Sequence, residues 1–257
     1  MTTDDLVIAL AGLGAGIVNG IAGGGSLLAF PTLIAIGLTA RAANVTTTVG
    51  IWCGYIGGIG GFRQQLVDQR DRIRAIAPVA LVGGLAGALL LLVTSDDLFR
   101  DLAPVLILAA CALFAAQPWL AARAKERAAR GGSAVSLADG AVPRVALIGT
   151  FVAAVYGGYF GAGLGVILLA ILGLTLEDTL ARINGVRAVL SLLINSIAVV
   201  VFAVTADVDW RAAGILAVTS LVGGFAGARL SLKLSPTVLR TIVIAFGLIA
   251  AGKLLLG

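Results

Sequence analysis

Amides, hydroxyls and glycines hold most of the chemistry available inside this otherwise apolar chain. Asn19, Ser26, Asn44, Thr46, Thr47 and Thr48 stand in the first half; Tyr159, Asn184, Ser191 and Asn195 stand in the second. Two glycine clusters lie among them, Gly23-Gly24-Gly25 and Gly161-Ala162-Gly163, the second followed by Gly165. This set offers hydrogen-bond donors but no base to activate a hydroxyl, which suits an anion held away from water. Buried Ser and Thr often bond to their own helix carbonyls, whereas an amide facing lipid is costly and needs partners. Arg187, after Ile183-Asn184-Gly185-Val186, is the basic residue expected to lie within a span. It either clamps an oxyanion bidentately or snorkels to the membrane surface.

Several chemistries are excluded. The chain has no histidine, which removes Ser-His-Asp triads, the usual zinc sites and histidine relays. Cys53 and Cys111 lie in separate apolar runs and read as small hydrophobes. All 13 acids fall in termini, loops or helix ends, so no carboxylate relay crosses the interior. No phosphate-binding loop with its lysine is present. The expectation is a protein with no catalytic residue, no metal and no cofactor, and therefore not an enzyme.

The elements that position these residues follow from composition. Of 257 residues, 60% are hydrophobic and 12% charged. A soluble domain carries about a quarter charged residues, because its surface must face water. Most of this chain is therefore solvated by lipid, and an all-α, multi-pass membrane protein is expected. Apolar runs fall at 6–37, 44–62, 75–94, 103–120, 143–175, 186–205, 211–231 and 237–256. Six are near the twenty or so residues that cross a hydrocarbon core about 30 Å thick. Runs 6–37 and 143–175 would reach about 48 Å as straight helices. Each has a glycine cluster near its middle, so each is read as two segments joined at a break, either two crossings or a re-entrant hairpin.

Loop charges favour return. If each broken run comes back to its starting side, loops 63–74, 121–144, 176–187 and 229–240 share one face and carry 14 of the 18 Lys and Arg. The other face holds Arg41, Arg100, Arg211 and Lys253 among seven aspartates. This is a positive-inside pattern, with both termini outside and a bacterial-type plasma membrane as the setting. It also accounts for the net charge of +5 without a nucleic-acid partner. The acidic start, Met1 to Asp5, lacks the basic region of a cleaved signal, so the first run is expected to stay in the protein.

The halves repeat. Leu81-Val82-Gly83-Gly84-Leu85-Ala86-Gly87-Ala88 returns in the second half as Leu221-Val222-Gly223-Gly224-Phe225-Ala226-Gly227-Ala228, and the same register aligns Asn44 with Asn184. Gly37-Leu38-Thr39 is matched with Gly173-Leu174-Thr175. The paired glycines Gly83/Gly87 and Gly223/Gly227 read as helix-packing features. Each half has five segments, an odd number, so two inverted repeats with about ten helical segments are expected, as in many secondary transporters. The boundaries are 1–122 for the first repeat, 123–142 for a cytoplasmic linker with a flexible Gly131-Gly132-Ser133, and 143–257 for the second.

The stretch from Asn19 through Gly23-Gly24-Gly25-Ser26 to Pro31, with Ala43-Asn44-Val45-Thr46-Thr47-Thr48, resembles the TauE/SafE (sulfite exporter) family. Gly157 to Gly165 and Val208-Asp209-Trp210 agree with it. Where that family has an Ala-Asn-x-Thr-Asn-like patch, this chain reads Ala43-Asn44-Val45-Thr46-Thr47-Thr48, without the second amide. The resemblance implies an integral membrane transporter that moves sulfur-containing anions such as sulfite or organosulfonates, usually outward. The residues themselves point to a site between the two breaks, where helices starting near Ser26 and Gly165 would present N–H groups and dipoles to an anion. The expected site comprises Asn19, Gly23, Gly24, Gly25, Ser26, Asn44, Thr46, Thr47, Thr48, Tyr159, Gly161, Ala162, Gly163, Asn184, Arg187, Ser191 and Asn195. An anion channel, or a carrier of another small anion such as a carboxylate, is the alternative.

Overall fold

Both over-long runs break at their glycines in the structure, a computed structural model that describes all residues except 1, 22, 130–141, 177, 232–236 and 257. Thr3–Ile21 (α1) ends before Gly23 and the chain resumes as Ser26–Ala35 (α2); Arg144–Tyr159 (α6) ends before Gly161 and resumes as Leu164–Thr175 (α7). Gly23, Gly161 and Gly163 have φ of +79°, +77° and +79°, where a residue with a Cβ is strained. At about 1.5 Å per residue, α2 and α7 reach roughly 15 and 18 Å, too short to cross a bilayer. Each folds back along its predecessor. Gly25 lies against Ala15 and Leu28 against Gly14; Leu164 lies against Gly157 and Ile171 against Gly149. The broken runs are hairpins that return to the side they entered from.

Six further helices complete the described residues: Ala40–Gly61 (α3), Arg70–Val93 (α4), Asp96–Ala129 (α5), Leu180–Thr205 (α8), Trp210–Ser231 (α9) and Thr237–Leu256 (α10). The fold is all-α, and α1, α4, α5, α8 and α9 contain stretches long and apolar enough to span a membrane. α3 is as long, but Asn44 and Thr46 to Thr48 hold its hydropathy down; this helix faces protein, not lipid, along that stripe. α5 continues through Arg123 to Ala129, as the start of the linker predicts. Gly131-Gly132-Ser133, Glu177 and Lys233 lie outside the described residues.

Loop contacts sort the helix ends into two faces. On one, Arg41 at the start of α3 pairs with Asp96 at 2.8 Å and donates to the Thr94 and Leu92 carbonyls. Arg211 at the start of α9 pairs with Asp5 at 2.8 Å. A cavity of about 200 Å³ opens here, lined by Thr39, Arg41, Ala42, Val45, Asp96, Thr205, Ala206 and Asp207. On the other face, Asp178 accepts from Gln69 at 2.8 Å, Arg72 at 2.7 Å and Arg182 at 2.9 Å. Loops 63–74 and 176–187 therefore meet on one face, as the charge pattern requires.

Asp178 gives this second face a pH signature. Burial would raise its carboxyl, but the hydrogen bonds from Gln69, Arg72 and Arg182 outweigh it and hold the group below the ordinary 3.8. A carboxyl depressed in the folded state stabilises at pH above its unfolded value and loses that contribution as pH falls through the folded one. Asp178→Asn is expected to lower stability by about 1–2 kcal/mol near neutrality. It should also flatten the loss of melting temperature below roughly pH 4. Melting curves of both proteins across pH 3–7 check this.

The two halves interlock crosswise. α1 packs on α9 and α6 on α4; α3 packs on α9 and α8 on α4; α2 meets α10 and α7 meets α5. Exchanging the halves leaves this set of pairings unchanged. The repeated eight-residue stretches are the contact surfaces. Gly223 and Gly227 seat on the backbone of Leu13 and Ile17 in α1, and Gly83 and Gly87 on that of Phe151 and Val155 in α6. Lipid is as apolar as leucine, so close backbone approach, not hydrophobic burial, holds such pairs. One sequence match needs correction. Thr39 caps α3 by accepting from the Ala42 amide, and the residue doing this for α8 is Thr179, which accepts from Arg182. Thr175 instead ends α7. The register that aligns Asn44 with Asn184 also pairs Thr39 with Thr179 and the helix ends Ala35 and Thr175, and the two residues by which α7 exceeds α2 lie at its start.

Candidate functional site

The two breaks touch. The Gly165 amide in the first turn of α7 donates to the Gly23 carbonyl at 3.0 Å. A helix start expected to offer its N–H to a ligand is thus partly used to join the hairpins, and Leu164 and Val166 likewise donate to Gly161 and Gly163. Asn19 shapes the first break: its Oδ1 accepts from the Gly25 amide at 2.7 Å, while its Nδ2 is buried with no partner. In the second break the Tyr156 hydroxyl donates to the Ala162 carbonyl at 2.7 Å.

Each hairpin is also gripped by the opposite half. α6 ends with carbonyls that have no partner in their own helix, and Asn44 of α3 donates its Nδ2 to the Tyr159 carbonyl at 3.0 Å. α1 has no basic residue in its last turn. Arg187 of α8 takes that place, donating through Nη2 to the Asn19 carbonyl at 3.1 Å and, more weakly, to the Gly20 carbonyl at 3.5 Å. A cation there is favoured by the negative end of the helix dipole.

Arg187 is 1% exposed and heads the large side chains that are fully buried. It does not snorkel. Among the described residues no acid pairs with it, and its Nε is buried without a partner. The Nη1 lies against Gly23 and Gly165, where the breaks cross. Ser191 and Asn195 follow at four-residue spacing on the same buried stripe of α8. Ser191 Oγ is unpartnered, and Asn195 donates to the Ser191 carbonyl at 2.8 Å. Across from them, the Tyr55 hydroxyl of α3 faces the Asn195 and Asn19 side chains within the field of Arg187. Arg187, Asn19, Tyr55, Ser191 and Asn195 thus form one buried polar cluster with spare donors.

The remaining expected residues divide. Gly24 packs on the Phe114 ring and Gly163 on Ala110, so α5 backs both breaks. Gly161 carries a positive φ and lies near Asn195. Ser26 is buried at the start of α2. Thr47 is buried with its hydroxyl unpartnered. Thr48 instead donates to the Asn44 carbonyl of its own helix. Thr46 accepts from the Asp209 amide and ties α3 to the α8–α9 loop. The Tyr159 ring lies tilted against that of Phe99, with centroids 5.8 Å apart. Asn184 is half-buried with an unpartnered Oδ1. Sequence reasoning missed Tyr55 and Tyr156. Tyr55 carried a signal: the register that aligns Asn44 with Asn184 also aligns Tyr55 with Asn195.

A family model described as "Sulfite exporter TauE/SafE" matches residues 8–254. No curated protein and no solved structure matches the chain.

Proposed function

The chain belongs to the TauE/SafE family of membrane transporters, which are not enzymes, and from that premise we propose that it carries sulfite or an organosulfonate outward by alternating access. The anion would lie at the crossing of the two glycine breaks, against Arg187, Asn19, Tyr55, Ser191 and Asn195. A buried guanidinium with no acid partner among the described residues is the observation that carries this reading. Such a charge costs several kcal/mol unless something of opposite sign joins it, and a sulfur oxyanion matches the planar fork bidentately.

Movement follows from the crosswise pairing. The hairpin α1–α2 packs on α9 and the hairpin α6–α7 on α4, so rocking one pair against the other would open the crossing to one face at a time. The cavity at Arg41, Asp96 and Asp207 supplies a vestibule on the acidic face, which the positive-inside rule makes extracellular. A cytoplasm-negative potential favours exit of an anion by about 2.3 kcal/mol per charge per 100 mV. Orientation has its own check. Single cysteines at positions 97 and 208, in a background with Cys53 and Cys111 replaced, are both expected to react with a membrane-impermeant thiol reagent from outside. Labelling from opposite sides would overturn the sidedness.

The test of substrate class is thermal stabilisation of the purified protein by sulfite, thiosulfate, sulfonates, sulfate, phosphate and acetate. A ligand at about 100 times its dissociation constant adds about 2.7 kcal/mol. Stabilisation by a sulfur anion, with competed and saturable flux in liposomes, is expected. Equal stabilisation by acetate, or none by any sulfur anion, would overturn the substrate.

A further inference from the structure

Resting on that site reading, we propose that the site is matched to a single negative charge, so that the carrier selects monoanionic oxyanions, sulfonates and hydrogensulfite among them, over dianions of the same shape. Among the described residues only Asp5 and Arg187 are charged and buried, and Asp5 belongs to the acidic face, paired with Arg211. The elements around the crossing add no second cation: Asn19 and the Gly23 carbonyl come from the first hairpin, Gly165 from α7, Tyr55 from α3, Ser191 and Asn195 from α8. All are neutral.

The repeat makes this one-sidedness specific. The register that aligns Asn44 with Asn184 places Thr47 opposite Arg187 and Tyr55 opposite Asn195. The polar equivalence is kept at the second pair, but the first places a guanidinium in one half and a buried, unpartnered hydroxyl in the other. A duplicated site with two arginines would suit a dianion; this one has a single positive charge in a region of low dielectric. A monoanion neutralises it. A dianion leaves one unit of charge unmatched, which in so enclosed a place should weaken binding at least about tenfold.

Three near-isosteres isolate charge from shape: dimethyl sulfone is neutral, methanesulfonate carries one negative charge and sulfate two. Affinities for the full-length protein would be taken from thermal shifts and from competition of sulfite efflux in liposomes. Methanesulfonate is expected to bind, sulfate at least about tenfold more weakly, and the sulfone not at all. Thr47→Lys, which adds a cation at the equivalent position, should narrow or reverse the methanesulfonate-to-sulfate ratio. Sulfate binding the unaltered protein as tightly as methanesulfonate, or methanesulfonate failing to bind, would overturn the charge matching whatever Thr47→Lys does. Arg187→Gln and Arg187→Lys separate the two levels. If sulfate and methanesulfonate bind alike but both are lost in Arg187→Gln and partly kept in Arg187→Lys, the site stands and only the selectivity falls. Anion binding indifferent to both variants overturns the site itself.

Discussion

Arg187→Gln is expected to cut sulfite flux at least about 100-fold while leaving the substrate-free protein as stable as before, or more so. The first half of this outcome follows from charge. Two charge-assisted hydrogen bonds to a desolvated oxyanion exceed the roughly 2.7 kcal/mol that a 100-fold loss represents. The second half follows from what the arginine does when no anion is bound. Its hydrogen bonds to the Asn19 and Gly20 carbonyls are worth about 1–3 kcal/mol, and glutamine keeps a donor there. Against them stands an effective burial cost of several kcal/mol for an unpaired cation. Removing it should leave the melting temperature unchanged or raise it by a few degrees, at about 2–4 °C per kcal/mol for a chain of this size. Flux in proteoliposomes and melting of the same preparation check both. A fall in melting temperature with flux retained would make Arg187 a helix cap and nothing more.

Gly165→Ala should be severely damaging, although it replaces glycine by alanine inside a helix. In an isolated helix that change is favourable by about 1 kcal/mol. Here the added methyl would press on the Gly23 backbone, 2.8 Å from its carbonyl oxygen, and on the Arg187 guanidinium. Overpacking of this kind typically costs about 1–3 kcal/mol, and the Gly165–Gly23 hydrogen bond, about 1 kcal/mol, is lost if the hairpins part. A net loss of about 2–4 kcal/mol and of transport is expected. Gly214→Ala in α9 is the control. Its Cβ would meet nothing within 4 Å, so stability should be unchanged or rise by up to about 1 kcal/mol. Thermal melting of both variants decides. Equal behaviour would show that the hairpins do not bear on each other.

The largest effects converge on one place because two constraints meet there. A hairpin within the bilayer leaves helix-end carbonyls and amides away from water, and each must find a partner inside the protein. Asn19, Asn44, Tyr156 and Arg187 meet that demand from other elements. Polar groups in excess of it, such as Asn19 Nδ2, Arg187 Nε and Ser191 Oγ, are left without a partner inside the protein.

Chain order already determined the broken helices, the sorting of loops and the duplication. An apolar run as long as 6–37 cannot lie straight across a hydrocarbon core about 30 Å thick, glycine is where it can bend, and loop charge records which ends lie together. These are local or one-dimensional properties. Others depended on the crossing of helices far apart in sequence. Arg187 lies in the first third of α8, near enough to its end that its long side chain had a route to the surface; only the hairpin of the other half, laid across it, closes that route. Thr46 and Thr48 have the same side chain as Thr47, yet the positions of Asp209 and the Asn44 carbonyl occupy the first two and leave the third. Tyr55 joins the cluster because α3 packs against α8. Residue type established that donors were present, and tertiary packing decided which remained free, since a hydrogen bond spent within the protein is unavailable to an anion.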